Sequence, residues 1–230
     1  PLHSIAWHVQ ALAEEPGVTP EMKKRVAVID EQLARVVRII QDLLSSTRPR
    51  QPEPEWLSVG EVVSPSAVLM EPAFHEKGLT LTVEIPKDLP FVWADKEKIH
   101  QVLVNVLANA LAATPAHGTV TVTAGCREAS ADELERGRLV ADGMSPMVVT
   151  IVIQDTGCGM PTADLEKAFE PFFTTKAVGK GTGLGLFLSR ESVVGHGGSL
   201  VLGSVIGQGT TVTLTLPAMR RASVPVKEET

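Results

Sequence analysis

The chain has 230 residues, of which 43% are hydrophobic and 21% charged, and its formal net charge at pH 7 is −6. This composition is ordinary for a globular protein with one large domain, or a mid-sized domain with an appendage, and its acidic balance argues against a general nucleic-acid binder. No run of about 18 apolar residues and no signal peptide is present, which predicts a cytoplasmic fragment without membrane contact. Whether a longer parent protein is membrane-attached stays open.

Residues 1–47 have the pattern of a helical hairpin. Residues 2–13 are amphipathic, and Thr19 followed by Pro20 is a start signal for a second, longer helix. Apolar residues then recur at near-heptad spacing, at Met22, Val26, Ile29, Leu33, Val36, Ile40 and Leu43. Two interpretations stay open here: a helix packed on its own domain, or a hairpin that dimerises into a four-helix bundle.

A proline-rich linker is predicted at residues 48–55, and a mixed α/β pattern follows over residues 56–217. Strands are predicted at residues 56–59, 79–85, 91–93, 119–124, 147–155, 199–202 and 210–216. Helices are predicted at residues 60–77, 95–113 and 183–194, the second of them apolar and capped by Asp95. Residues 126–146 are predicted to form a long hairpin loop, and residues 218–230 a flexible tail.

Two glycine clusters carry the strongest functional signal. The strand predicted at residues 147–155 ends in Asp155-x-Gly157-x-Gly159, and Gly181-Thr182-Gly183-Leu184-Gly185 later opens a helical pattern. Backbone amides at a helix start bind phosphate, and a carboxylate accepts a hydrogen bond from the amine of a base. In this order, the two clusters predict a nucleotide site.

Two asparagines lie on one face of the helix predicted at residues 95–113. Asn105 and Asn109 are four residues apart among apolar neighbours, so each amide needs a partner. The simplest interpretation is that neighbouring backbone groups satisfy both. With a phosphate-binding loop elsewhere in the chain, the Asn109 oxygen is predicted instead to bind Mg²⁺ together with nucleotide phosphates.

These residues resemble, in order and spacing, the N, G1, F and G2 boxes of sensor histidine kinases, most closely those of the nitrogen-regulation type. The boxes correspond to Asn105-Val-Leu-Ala-Asn109, Asp155-x-Gly157-x-Gly159, Phe169-x-x-Phe172-Phe173 and Gly181-x-Gly183-x-Gly185. The resemblance implies an α+β fold, a two-layer α/β sandwich with a mixed sheet and helices on one face. DNA gyrase, mismatch-repair and heat-shock chaperone ATPases share this fold. A dimerising helical hairpin would precede it.

The resemblance also implies roles for individual residues, with ATP and Mg²⁺ as cofactors. Asp155 would accept a hydrogen bond from the adenine amino group, beside Gly157, Gly159 and the Thr211 hydroxyl. Asn109 would hold Mg²⁺, and Phe169, Phe172 and Phe173 would anchor an ATP lid. Lys176 or Lys180 would pair with phosphate, unless both are solvated loop lysines. The phosphates would lie against the backbone of Gly181, Thr182, Gly183, Leu184 and Gly185.

The implied activity is that of a protein-histidine kinase with Asn105, Asn109 and Lys176 as catalytic residues. It would form a homodimer through its N-terminal helices and transfer the γ-phosphoryl group of ATP to a bundle histidine, then to the receiver domain of a response regulator. The family pattern places that histidine just before Pro1, outside the chain. Members of the fold that hydrolyse ATP have a glutamate where this chain has Asn105. The alternatives are an ATPase or serine kinase of the same fold, or a non-catalytic nucleotide-gated dimerisation module.

Overall fold

A computed structural model of the chain describes residues 9, 11–12, 18–29, 32, 36, 53–130, 133, 147–176 and 181–219. The chain divides into two compact units. The larger consists of Arg50–Phe169 and Leu186–Thr230, and the smaller of Pro1–Pro49 and Glu170–Gly185. The smaller unit therefore includes a segment that the sequence assigned to the ATP-binding domain.

The described part of the larger unit is built on a seven-stranded mixed sheet. Its strands are β1 (Glu55–Leu57), β2 (Thr80–Glu84), β3 (Phe91–Ala94), β4 (Thr119–Glu128), β5 (Met147–Asp155), β6 (Ser199–Val205) and β7 (Gly209–Met219). Their order is β1-β3-β7-β5-β4-β2, with β6 also paired to β7. The β2–β4 pair is parallel and the other pairs are antiparallel.

Four helices accompany these strands: α1 (Val59–Glu76), α2 (Lys96–Ala113), α3 (Thr162–Lys167) and α4 (Gly185–Gly195). A capping box starts α1, in which Ser58 Oγ accepts from the Glu61 amide and the Glu61 carboxylate accepts from the Ser58 amide. Asp95 caps α2 as predicted, its Oδ1 accepting from the amides of Glu97 and Lys98. These caps satisfy amides that have no partner within the helix.

The hydrophobic core lies on one face of the sheet. Along β5, Val149, Ile151 and Ile153 are at most 2% exposed, whereas the intervening Thr150 and Val152 are only half-buried. Since successive side chains of a strand point to opposite faces, the odd-numbered residues of β5 face the core. Side chains of both long helices complete the core, including Val62, Phe74, Ile99, Leu103 and Leu107. The predicted two-layer α/β sandwich is confirmed.

The N-terminal prediction is tested at one helix start. Residues 20–29 are helical, and Thr19 Oγ1 accepts a hydrogen bond from the Met22 amide at 3.2 Å, as a helix cap does. Most of the predicted hairpin lies outside the described residues. In the part of the chain that the structure describes, no helix is long and apolar enough to cross a membrane.

Several element boundaries differ from the predictions. β4 continues to Glu128, so Cys126 lies in a strand and not in the hairpin loop, because the backbone of β5 pairs with it as far as Met147. β7 continues to Met219, where it pairs with β3, so the strand extends past the predicted domain boundary at residue 217. The short helix α3 was not predicted.

Candidate functional site

The buried face of β5 ends in a carboxylate. Asp155 is 5% exposed, and its Oδ1 accepts hydrogen bonds from the amides of Gly157 at 2.8 Å and Thr210 at 3.2 Å. Burial raises the pKa of Asp155, and the two amide hydrogen bonds partly offset this shift. Among the described residues, no donor reaches Oδ2. The second oxygen is thus available to an amine from outside the protein.

Glycines surround this carboxylate because side chains do not fit there. A Cβ on Gly157 would lie 2.6 Å from Asp155 Oδ1 and 2.8 Å from the Ala113 carbonyl oxygen. Gly209 has a φ of 106°, and a Cβ there would overlap the carbonyl oxygen of Asp155. Gly209 was not among the residues predicted for the site, although a Gly-x-Gly pair at the start of a strand is a signal for such a close turn.

The loop after Asp155 bridges two other elements of the larger unit. The Cys158 amide donates to the Ala113 carbonyl at the end of α2, and the Cys158 carbonyl accepts from the Gly207 amide at 2.8 Å. Gly159 has a φ of 65°, and a Cβ there would overlap the carbonyl oxygen of Val205. The backbone of this loop is therefore fixed on both sides.

Thr210, and not the predicted Thr211, lies on the face of Asp155. Thr211 pairs with Gln154 across the strands and therefore points to the opposite face of the sheet. Thr210 is buried, donates its amide to Asp155 and has its hydroxyl 3.0 Å from Ser204 Oγ. The structure does not bring the Thr211 hydroxyl to this site.

The two asparagines of α2 differ in their surroundings. Both are half-buried, and Asn105 Nδ2 donates to Ser189 Oγ of α4 at 2.9 Å, so its amide has a structural partner from another helix. Asn109 lies one turn further along the same face, and Ala113, which bonds the Cys158 amide, one turn beyond that. Asn109 is thereby placed on the helix face that leads to the Asp155 loop.

The donors present suit a metal ion that takes few protein ligands. Among the described residues, no group of three or more histidines, cysteines or carboxylates could hold a metal ion. An amide oxygen such as that of Asn109 fits Mg²⁺, which commonly binds one or two protein oxygens together with nucleotide phosphates.

In the smaller unit, a backbone hydrogen bond joins residues 172 and 183, and we call the described residues 172–176 and 181–183 the loop. The Phe172 amide donates to the Gly183 carbonyl at 2.9 Å, with φ angles of 69° and 72° at the two residues. A Cβ on Gly183 would overlap the carbonyl carbon of Phe172. Gly183 thus permits the closure, and Leu184, Thr182 and the start of α4 at Gly185 lie at the same end of the loop.

The stem of Lys176 lies beside Gly181, although the residue as a whole is exposed. A Cβ on Gly181 would lie 3.3 Å from Lys176 Cδ and 2.8 Å from Thr174 Oγ1, so the lysine stem runs beside the glycine. Desolvation lowers the pKa of Lys176. Lys180, the other predicted phosphate-binding lysine, lies outside the described residues.

The three predicted anchor phenylalanines are not alike. Phe169 packs against the core of the larger unit and lies under the Arg190 guanidinium, 5.1 Å from ring centroid to Cζ. Phe173 is half-buried in the smaller unit, whereas Phe172 is 60% exposed. The prediction that Phe172 packs its ring is wrong, since this residue contributes its backbone to the loop closure instead.

A mixed sheet covered on one face, with a buried aspartate at a strand end and an asparagine on the covering helix, defines a nucleotide-binding α/β sandwich. Comparison with known families agrees with this class. Residues 94–220 match the family described as histidine kinase-, DNA gyrase B-, and HSP90-like ATPase, and the chain belongs to this family.

The individual proteins to which this chain is similar include sensor histidine kinases. The signal transduction histidine-protein kinase AtoS of Escherichia coli K12 is 32% identical over 217 residues, which cover 94% of this chain and 32% of AtoS. The catalytic domain of histidine kinase ThkA has a TM-score of 0.57 at 27% identity, covering 72% of this chain and 98% of that domain. This chain therefore spans about a third of AtoS but matches nearly the whole ThkA domain.

Two larger structures share the fold at lower identity. Full-length ShkA in complex with AMPPNP has a TM-score of 0.64 at 23% identity and covers 95% of this chain and 46% of ShkA. ThkA in complex with the response regulator TrrA has a TM-score of 0.65 at 23% identity and covers 95% of this chain and 58% of that kinase chain.

Proposed function

We propose that the chain is the ATP-binding catalytic core of a dimeric sensor histidine kinase, acting in the cytoplasm. The observation that carries the proposal is the buried Asp155, whose Oδ1 is held by two backbone amides while Oδ2 receives no donor from the described residues. Family membership and the AMPPNP bound to ShkA support ATP as the nucleotide.

Asp155 selects the base. A carboxylate only accepts hydrogen bonds, so Oδ2 suits the exocyclic amine of adenine and not the carbonyl that guanine has at the equivalent position. The Thr210 amide and the Gly157 amide orient the carboxylate, and the absence of side chains at Gly157 and Gly209 leaves room for the backbone to approach it.

The phosphates bind to the second glycine cluster. Amides of Gly181, Gly183 and the first turn of α4 are donors at a helix start, where the helix dipole also favours an anion. The Lys176 ammonium adds a positive charge, and Lys180 remains a second candidate. Asn109 would hold Mg²⁺, which supplies charge neutralisation for the phosphates when bound.

Transfer is favoured over hydrolysis by the residue at position 105. Asn105 is a neutral amide whose nitrogen donates to Ser189, so it cannot take a proton from water. The nucleophile is then the imidazole nitrogen of a histidine, which forms a bond to the γ-phosphorus as the bond to the ADP oxygen breaks. Positioning of ATP against that histidine supplies the catalysis.

The same proposal includes two protein partners. Residues 20–29 are helical with Met22 and Ile29 about half-exposed, as expected of a helix that packs against a second copy of the chain. The receiver domain of a response regulator would take the phosphoryl group from the histidine, and the ThkA complex with TrrA supports that partner.

The test uses ATP labelled at the γ-phosphate, Mg²⁺, and two proteins: this chain, and a version extended upstream to include the bundle histidine. Acid-labile, base-stable label on the extended protein is expected, and Asn109→Asp should abolish it. Gln101→Glu, an amide-to-acid change at an exposed position of the same helix, is the matched control and should keep the label.

Free phosphate without protein label would identify an ATPase and contradict the role given to Asn105. Nucleotide binding with neither label nor free phosphate would favour the non-catalytic dimerisation module.

A further inference from the structure

Helices α2 and α4 run antiparallel and are joined by two polar contacts. Asn105 Nδ2 donates to Ser189 Oγ at 2.9 Å, and the Asp95 amide donates to His196 Nε2 at 3.0 Å. From the first contact to the second, the residue number increases in α2, from Asp95 to Asn105, and decreases in α4, from His196 to Ser189. The two helices therefore run in opposite directions. The two contacts are about 15 Å apart along α2, so together they fix both the register and the angle of α4.

The partners of His196 define which nitrogen carries the proton. Nδ1 lies 2.7 Å from the Ser192 carbonyl oxygen, which only accepts, and Nε2 faces the Asp95 amide, which only donates. Nδ1 is therefore protonated and Nε2 is bare. The half-buried imidazole uses one nitrogen on its own helix and the other on the start of α2.

Asp95 joins three parts of the chain. Its Oδ1 caps α2, its amide reaches His196 at the end of α4, and its Oδ2 accepts from the Glu53 amide at 3.2 Å. Glu53 lies in the segment just before β1, within the predicted linker. A displacement of that segment thus acts on the residue that holds the end of α4.

We propose that His196 is a positioning residue that couples the segment at Glu53 to helix α4 through Asp95. The inference rests on the proposed function, because α4 begins at Gly185, within the second glycine cluster. Asn109 lies one turn beyond Asn105, and the first turn of α4 lies one turn before Ser189. Without the Asp95–His196 contact, α4 can pivot about Ser189, which disturbs phosphate binding and leaves base binding at Asp155 intact.

Two substitutions separate the two hydrogen bonds of His196. In His196→Gln the amide oxygen extends to the position of Nε2 and can still accept from the Asp95 amide. In His196→Asn the shorter side chain reaches only the position of Nδ1, so it keeps a donor for Ser192 and loses the contact with α2. The pair is matched in polarity and differs in the bond that the proposal requires.

The experiment compares both variants with wild type in the 230-residue chain. Amide hydrogen exchange is measured at Asp95 and along α4, and binding is measured for AMP and for AMPPNP with Mg²⁺. His196→Asn should speed exchange at Asp95 and weaken AMPPNP binding about tenfold while AMP binding changes less than about twofold. His196→Gln should stay close to wild type.

Asp95→Asn tests the coupling to Glu53, since its amide oxygen still caps α2 but its amide nitrogen cannot accept from the Glu53 amide. It should speed exchange in α4 when His196 is present, and add little in the His196→Asn background.

Equal exchange at Asp95 in the Gln and Asn variants would overturn the inference. So would an equal loss of AMP and AMPPNP binding in His196→Asn with a lower Tm, because that pattern indicates a merely structural role. If wild type binds no nucleotide, the proposed function fails, and the exchange at Asp95 and α4 still decides whether the coupling exists.

Discussion

The carboxylate end of β5 and the loop closed by Phe172 and Gly183 both depend on glycines, but they are held in different ways. Asp155 is 5% exposed and fixed by amides from two separate parts of the sheet region, whereas Phe172 is 60% exposed and the loop base closes through one backbone hydrogen bond. The first region shares its contacts with the core, and the second has local contacts. Damage to the first should therefore unfold the protein, and damage to the second should impair binding alone.

Alanine substitutions at one glycine of each region test this contrast most strongly. Gly209→Ala should lower the free energy of unfolding by about 3 kcal/mol or more, through the overlap with Asp155 and the strained φ, and lower Tm by roughly 10 °C. Gly183→Ala should weaken ATP binding strongly while Tm falls far less, because its Cβ meets only the loop. Differential scanning calorimetry and ATP titration measure the two effects.

Gly203→Ala is the control for both variants, because a Cβ there meets nothing within 4 Å. It should leave both Tm and ATP affinity nearly unchanged. Equal losses of Tm in the two test variants would remove the distinction between the regions.

Asp155→Asn separates the base contact from the fold. The remaining oxygen would still accept from Gly157 and Thr210, which leaves an amide nitrogen, a donor, facing the adenine amine. ATP affinity should fall about 100-fold. Stability should hold or rise, because burial raises the pKa of Asp155 and so its charged form costs stability above that pKa.

Isothermal titration and urea unfolding at neutral pH give both quantities, with Glu166→Gln on an exposed acid as control. For the same reason ATP affinity of wild type should decline as the pH falls through the raised pKa of Asp155. Unchanged affinity in Asp155→Asn would show that the base lies elsewhere.

Lys176 gives a pH effect of opposite direction in the loop region. Desolvation lowers the pKa of its ammonium, so the charge that binds phosphate is lost at a lower pH than for an ordinary lysine. AMPPNP affinity should decline as the pH rises through that pKa, and Lys176→Arg should keep its affinity over the same range. Lys176→Met should weaken AMPPNP about tenfold and leave AMP unchanged. A solvated loop lysine would show neither effect.

The smallest expected effect belongs to an ion pair that contacts neither region. The Arg127 guanidinium lies 2.7 Å from Glu133 and lowers the pKa of that carboxyl to about 2. The pair's contribution is present above the ordinary pKa of 4.5 and is lost as the pH falls toward about 2. Since Arg127 is half-exposed, Arg127→Ala should cost under about 1 kcal/mol at neutral pH and leave ATP affinity unchanged. Urea unfolding at neutral and acidic pH checks this.

Local patterns predicted the elements that local chemistry determines. The Asp95 cap and apolar period gave α2 with its observed end at Ala113, and the alternation along β5 placed Asp155 at a strand end. α3 was missed because six residues are too few for a period, and Pro161 provides no side-chain cap. The glycine motifs of both regions are visible in the sequence itself, and the resemblance to sensor histidine kinases supplied the roles of their residues.

Contacts between distant residues could not be predicted in the same way. The sequence prediction named Thr211 where the structure has Thr210 facing Asp155. A shift of one residue places a side chain on the opposite face of a strand. The register of β7 depends on the turn at Gly209. The partner of Asn105 lies 84 residues away at Ser189, and that of the Asp95 amide 101 residues away at His196. Neither contact can be inferred from the residues that flank its partners in the sequence.

The position of β7 has a consequence for how the protein is made. This last described strand pairs with β6, β5 and β3, so it alone connects the β1–β3 pair to the strands β5, β4 and β2. During synthesis, these two parts of the sheet cannot pair through β7 until residue 219 has emerged from the ribosome. A chain that stops before Gly209 would expose the long edge of β5, with its valines and isoleucines, to other unfinished chains. Ribosome stalling within β7 should therefore yield aggregates and not a smaller folded domain.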